Sequence, residues 1–91
     1  MKTLPAHVTH YKSSPEFTET STPAALQKGH TTAAGVWGRI TVLEGSLRYR
    51  ISEPEQEELL LTPDLFGVVE PQMRHEVELI GPVRFRVDFH K

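Results

Sequence analysis

Hydrophobic and polar residues alternate along most of the chain, which is typical of short β-strands. The clearest strand is predicted over 36–43, which is rich in β-branched and aromatic residues. A second strand is predicted over 46–51, with Leu47 and Tyr49 on one face. Glu44 and Gly45 separate the two strands, and Gly45 can adopt the positive φ of a tight turn. The pattern therefore predicts a β-hairpin over residues 36–51.

The same alternation continues to the end of the chain. Further strands are predicted over 57–61, 65–69, 75–79 and 83–89, separated by turns and by a loop over 52–56. The segment 23–30 also alternates and is expected to be extended. Residues 1–22 are polar and are predicted to form an extended N-terminal arm lying over the core, followed by a single β-barrel domain over 23–91. Evenly spaced short strands predict an all-β sandwich or barrel.

Composition narrows the functional classes. The chain has 91 residues, enough for one small domain, and its formal net charge of −2 does not suggest a nucleic-acid-binding protein. No apolar run is long enough to span a bilayer, and no secretory signal is recognisable. We therefore expect a soluble cytoplasmic protein with neither a nucleic-acid nor a membrane partner. Because cysteine is absent, a metal could be bound only through imidazole, carboxylate or amide groups.

Three segments carry a resemblance to a known family. They are Pro23–His30, Gly35–Gly45 (ending in Val-Leu-Glu-Gly) and Val69–His75. In this order they resemble a small cupin family that contains tellurite-resistance-like proteins and the N-terminal domain attached to tellurite methyltransferase. The resemblance covers roughly residues 8–91. It implies a cupin-like jelly roll, also called a double-stranded β-helix, and a link to tellurite resistance.

The cupin ligand pattern is incomplete in this sequence. Thr32 stands where a second histidine is expected, Gly38 where the glutamate is expected, and Leu79 where the asparagine is expected. His30 and His75 remain, and the resemblance places them facing each other inside the barrel mouth. Two neutral imidazoles could hold a divalent metal ion such as Zn, Ni, Fe or Cu. The alternative is a pair of buried histidines hydrogen-bonded to the backbone.

Additional site residues are less well defined by the sequence. Gln72 could offer an amide oxygen and Glu70 a carboxylate, although Glu70 could also simply shape the turn. His10 would reach the mouth if the arm folds over it, and is otherwise exposed. Asp88 alternates with aromatic residues and faces inward only if those aromatics form an outer surface. A planar guanidinium at Arg39 could bind a small anion if it points into the barrel; a surface ion pair is the alternative.

Four other arginines alternate with apolar residues and are matched by nearby glutamates, which predicts cross-strand ion pairs on a solvated face. These arginines are Arg48, Arg50, Arg84 and Arg86. The sequence as a whole predicts a small cupin-like protein that binds a metal ion, a small anion or a metabolite, and that forms a homodimer. Two other classes remain open: a metal-dependent enzyme of the isomerase, epimerase or oxygenase type, and a dimerising interaction module without a metal.

Overall fold

Eight short strands form two antiparallel sheets in a computed structural model, which describes residues 1–53 and 55–91. The loop predicted over 52–56 includes Pro54, which lies outside the described residues. The strands are β1 (His10–Ser13), β2 (Phe17–Thr18), β3 (Trp37–Gly45), β4 (Leu47–Ile51), β5 (Glu57–Leu61), β6 (Gly67–Val69), β7 (His75–Glu78) and β8 (Val83–His90). The expected all-β, cupin-like fold is confirmed.

The larger sheet has the order β1-β8-β3-β6, with β2 also paired to β8. The smaller sheet has the order β5-β4-β7. The polar segment predicted as an N-terminal arm thus contributes two strands to the larger sheet, both hydrogen-bonded to β8. Among the described residues, no helix is long and apolar enough to cross a membrane.

The predicted hairpin over residues 36–51 is wrong. Strand β3 pairs with β6 and β8, whereas β4 pairs with β5 and β7, so the two consecutive strands lie in different sheets. Gly45 does have a positive φ of 77°. An added Cβ there would lie 2.1 Å from the carbonyl oxygen of Pro82. The turn at Gly45 therefore carries the chain between sheets, close against the turn that precedes β8.

The extended segment expected over 23–30 is also wrong in its first half. Residues Ala24–Gln27 form a short 3₁₀ helix, begun by Pro23, whose fixed φ suits the entry to a helical turn. The following Gly29 has a φ of 61° and redirects the chain toward His30. Alternation in a segment this short does not distinguish a strand from a single helical turn.

The core lies between the two sheets and is built mainly from alternate residues of β3, β4, β7 and β8, together with β6, which is buried along its whole length. The most deeply buried large side chains are those of Tyr49, Phe85, Leu47 and Leu61. The hydroxyl of Tyr49 donates a hydrogen bond to the carbonyl oxygen of Val68 at 2.9 Å, which satisfies the one polar group of this ring. Inward-facing residues of β3 and β8 cover the same core from the larger sheet.

The outward face of the smaller sheet carries the predicted ion pairs. Arg50 on β4 pairs with Glu76 at 3.1 Å and also with Glu58 and Glu78. Arg48 pairs with the same Glu58 and Glu78. These contacts confirm that the alternating arginines and glutamates compensate one another across strands.

Candidate functional site

His30 and His75 lie side by side across an isolated antiparallel bridge. The His30 N–H donates to the His75 carbonyl at 2.6 Å, and the His75 N–H donates to the His30 carbonyl at 2.9 Å. Their rings meet edge to face with centroids 5.6 Å apart. The backbone thus fixes both imidazoles at one place, which the sequence resemblance had only implied.

His75 is buried, with 4% of the surface of the residue exposed. Its Nδ1 lies 3.0 Å from the Met73 carbonyl oxygen. A carbonyl only accepts hydrogen bonds, so Nδ1 carries the proton and Nε2 keeps its lone pair. Burial lowers the pKa of His75, and the nearby His30 adds to this effect against the opposing Met73 bond. His75 is therefore held as a neutral hydrogen-bond acceptor.

Both rings line a cavity of about 240 Å³ between the sheets. Most of its wall is apolar. The apolar lining residues are Phe17, Pro23, Ala25, Leu26, Gly38, Ile40, Val69, Val77, Phe85, Val87 and Phe89. The cavity is therefore a largely hydrophobic space with a pair of imidazoles in its wall.

Two hydroxyl groups also line this cavity, but both are already hydrogen-bonded. Ser14 donates to the Pro15 carbonyl and accepts from the Val87 N–H. Thr32 donates to the Val36 carbonyl at 3.0 Å. The protons of both hydroxyl groups are thus engaged. Within the described part of the chain, the other polar side-chain atoms of the wall are imidazole nitrogens, of which Nδ1 of His75 is bonded to the Met73 carbonyl.

The positions that depart from the cupin ligand pattern explain this apolar character. Thr32 and Gly38 both line the cavity, at the places where the resemblance calls for a second histidine and a glutamate. An added Cβ at Gly38 would lie 3.3 Å from Val69 and 3.5 Å from Val87. Space that a metal-binding carboxylate would fill is therefore bordered by valine side chains.

Glu70 and Gln72 lie away from the cavity. The Glu70 carboxylate pairs with Lys2 at 3.4 Å. Glu70 and Gln72 line a separate surface depression beside Pro71. Gln72 is exposed and adopts a φ of 59° in the turn before β7, with its N–H bonded to the Thr32 carbonyl. Both residues shape the loop that delivers His75.

Arg39, His10 and Asp88 form a different group. Alternation along β3 places Gly38 and Ile40 inward, so Arg39 points outward and does not enter the barrel. Asp88 likewise lies opposite the inward-facing Phe89 on β8. These three residues line a cleft on the outer face of the larger sheet.

A complete metal centre is not present in the part of the chain that the structure describes. No group of three or more His, Cys, Asp or Glu side chains there could hold a metal ion. Catalytic zinc sites usually have three protein ligands, and His30 and His75 supply two. A cation bound here would need its remaining ligands from water or from a bound molecule.

The sequence predicted that the N-terminal arm lies over the core, but it did not identify which residues cover the cavity. Phe17 of β2 and Leu26 of the 3₁₀ helix line it, and Phe17 packs on Phe85 with ring centroids 5.6 Å apart. The available signal was Phe17, an aromatic residue within a largely polar N-terminal segment. Such a residue indicates that the segment packs against the core.

Two antiparallel sheets enclosing a histidine-bearing cavity define a small all-β domain of the cupin-like class. A family model described as "TehB-like domain" matches residues 12–87, so the chain belongs to the TehB-like family. The resemblance seen in the sequence motifs is thereby confirmed.

Known proteins support this assignment. The chain is 38% identical over 75 residues to the probable S-adenosyl-L-methionine-dependent methyltransferase TehB of Haemophilus influenzae, covering 78% of this chain and 26% of that protein. The crystal structure of TehB from H. influenzae matches with a TM-score of 0.82 at 31% identity, over 93% of this chain and 32% of that one. A crystal structure from Escherichia coli K12 matches with a TM-score of 0.86 at 24% identity, over 100% and 97% of the two chains, and shows the shared fold. The chain spans about a quarter of the length of the curated TehB relatives.

Proposed function

We propose that this domain binds a small organic molecule in the cavity between its sheets, with an apolar body against the hydrophobic wall and a hydrogen-bond donor against His75. One observation carries the proposal: the largely apolar wall of the cavity includes the His75 ring, whose Nδ1 is bonded to the Met73 carbonyl and whose Nε2 is thereby left as an acceptor. Binding sites for small molecules commonly combine a hydrophobic lining with a few fixed polar groups. The methyltransferase activity in the relative's name is not carried over, because the chain matches about a quarter of that protein.

The size of the cavity sets the size of the ligand. An apolar cavity of about 150 Å³ holds benzene, so a cavity of about 240 Å³ has room for a single substituted ring or a branched chain of similar size. Phenol is a suitable probe, because its ring matches the wall and its hydroxyl can donate to Nε2 of His75. We expect saturable binding of phenol.

The experiment is a titration of the ¹⁵N-labelled protein with phenol, followed by amide chemical shifts. We expect the shifts to concentrate at cavity residues such as Ile40 and Val77. Val87→Phe, which adds bulk to the wall, should abolish the shifts while the spectrum stays dispersed. His7→Gln, at an exposed position, should leave binding unchanged. Shifts scattered over the surface, or binding that survives Val87→Phe, would overturn the proposal.

A second candidate is a divalent cation held by the two imidazoles. The observation that favours it is the Nδ1 bond from His75 to a backbone carbonyl, an arrangement typical of histidines whose Nε2 binds metal. Zn²⁺ titration by calorimetry tests it. A His30→Ala/His75→Ala double variant should lose one equivalent of bound Zn²⁺, and a His10→Ala/His90→Ala variant should not. Equal binding by all three proteins would exclude this site.

A further inference from the structure

Arg39 is a partly buried arginine without a carboxylate partner among the described residues. Its guanidinium lies over the Phe66 ring, 4.1 Å from the centroid. Its Nε is buried and has no hydrogen-bond acceptor in the part of the chain that the structure describes. A buried donor left without an acceptor is destabilising, because it loses its hydrogen bond to water and gains none in the protein. The buried and unpaired Nε of Arg39 therefore needs an explanation, since folded proteins rarely leave such a donor without an acceptor.

Other arginines of the sheets differ from Arg39 in this respect. Arg84 pairs with Glu16 and Glu44, and Arg86 pairs with Asp88 at 3.0 Å. Arg48 and Arg50 pair with glutamates of the neighbouring strands. Arg39 thus carries a positive charge on the outer face that no described carboxylate offsets by an ion pair.

Asp88 is the nearest candidate counterion by register, since it lies opposite Arg39 on β8. Its carboxylate is already engaged. Ser13 donates to Oδ1 at 2.6 Å, Arg86 Nε donates to Oδ1 at 3.0 Å, and Thr41 donates to Oδ2 at 3.1 Å. Burial acts to raise the pKa of Asp88, but these hydrogen bonds outweigh it and leave the pKa lowered. Asp88 therefore orients Arg86 and Ser13 rather than neutralising Arg39.

The cleft that holds these groups is electropositive. It is lined by His10, Ser13, Arg39, Arg86, Asp88 and His90. Two guanidinium groups face one carboxylate there, and the imidazole rings of His10 and His90 lie beside them with their centroids 5.4 Å apart. This cleft lies on the opposite face of the larger sheet from the His30–His75 cavity.

We propose that this outer cleft is a second binding site, which takes a small anion with two coplanar oxygens, a carboxylate or an inorganic oxyanion, between Arg39 and Arg86. A planar guanidinium binds such oxygens through two parallel hydrogen bonds. Stacking on Phe66 holds the Arg39 plane in place before the anion arrives. The site is independent of the cavity in which we place the organic ligand.

A nucleophilic serine is the alternative use of this cluster, and the hydrogen bonds argue against it. His10 Nε2 lies 2.8 Å from Ser13 Oγ. Because Ser13 gives its own proton to Asp88, it accepts from His10. The imidazole is thus a donor to the hydroxyl, whereas a general base must accept the hydroxyl proton.

The test uses the side-chain Nε–Hε resonance of Arg39 in the full chain, titrated at constant ionic strength with sodium phosphate, sodium acetate or sodium chloride. Phosphate represents the oxyanions and acetate the carboxylates, and the tighter of the two identifies the source. We expect saturable shifts of Arg39 and of the Ser13 and His90 amides with at least one of them, and not with chloride. Arg39→Gln should weaken binding by about tenfold or more.

Arg74→Gln is the matched control, because Arg74 is an exposed arginine outside this cleft. It should bind as the unaltered protein does. If Arg39→Gln fails to fold, Arg39→Lys keeps the charge but loses the planar fork, and should still weaken binding. Shifts that do not saturate, that chloride reproduces, or that persist in both Arg39 variants would overturn the proposal.

Discussion

His30 and His75 exchange two backbone hydrogen bonds, although four strands, β3 to β6, lie between them along the chain. The exchange brings the end of one loop against the start of β7 and sets the two rings edge to face. One ring is buried and tied to the Met73 carbonyl, so it acts as a neutral acceptor. The two imidazole rings thus place polar groups in the wall of a largely apolar cavity.

Stability should fall as the pH drops, because of His75. Its pKa lies below the ordinary value of 6.5 in the folded state, mainly through burial. Between the folded-state and the unfolded-state pKa, the unfolded chain binds more protons than the folded protein. The contribution of His75 to the free energy of unfolding is therefore complete above the unfolded-state pKa, and it is lost as the pH falls toward the folded-state pKa. Urea denaturation between about pH 8 and about pH 5 measures this loss.

A His75→Gln variant should show a shallower pH dependence across that window than the unaltered protein. His7→Gln, which removes an exposed histidine, should keep the original slope. If His75→Gln and the unaltered protein lost stability in parallel, the buried neutral imidazole would not be the cause.

Gly45→Ala should be severely destabilising, beyond the roughly 1–2 kcal/mol that a positive φ costs an L-residue. The reason is the 2.1 Å approach of the new Cβ to the Pro82 carbonyl oxygen, which would push apart the turns that join the two sheets. Gly35→Ala is the control, because Gly35 has a similar φ of 76° and nothing within 4 Å of the added Cβ. Thermal unfolding compares the two, and equal losses would contradict the close approach.

Tyr49→Phe should reduce the free energy of unfolding by about 1–2 kcal/mol, since it leaves the buried Val68 carbonyl without its donor. The ring itself would remain in place, so the fold should be kept. Tyr11→Phe removes a hydroxyl from an exposed ring and should change stability by less than about 0.5 kcal/mol. Urea titrations of both variants provide the comparison; similar small losses would show that the Tyr49 bond contributes little.

A homodimer is expected in solution. The smaller sheet ends at β5, an edge strand whose Leu60 is 50% exposed, and such edges are commonly covered by pairing. Sedimentation equilibrium should give twice the chain mass of 10.3 kDa at high concentration. A single species of the monomer mass throughout the concentration range would contradict the expectation.

Local alternation was sufficient to predict β3 to β8, and it placed Leu47 and Tyr49 on the same face of β4, which is the face that packs in the core. It did not predict β1 and β2, which lie in the segment expected to be an extended arm. The alternation does not specify which strands pair, because a turn with Gly45 at positive φ is compatible both with a hairpin and with a crossover between sheets. What decides between them is which strand edges are free. Both edges of β3 are occupied by β6 and β8, which are distant in sequence.

In the candidate site, too, the sequence predicts some features and only the strand pairing reveals the others. The resemblance to cupins singled out His30 and His75, and the structure places them together. The sequence leaves open whether Arg39 points into the barrel, because the large aromatic side chain of Trp37 lies on the same face of the strand. Antiparallel pairing of β3 with β8 sets Arg39 opposite Asp88 on the outer face. The pairing of Arg39 with Asp88 depends on the register between two strands, and the sequence of one strand alone does not specify it.

The most direct test of the cavity proposal is the ratio of the affinities for phenol and toluene, measured by NMR titration. The two molecules have nearly the same shape, and only phenol can donate to Nε2 of His75. We predict that phenol binds about tenfold more tightly, a difference of ~1.4 kcal/mol. In His75→Phe the preference should disappear while toluene still binds. Equal affinities for the two probes in the unaltered protein, or a preference that His75→Phe retains, would contradict the account.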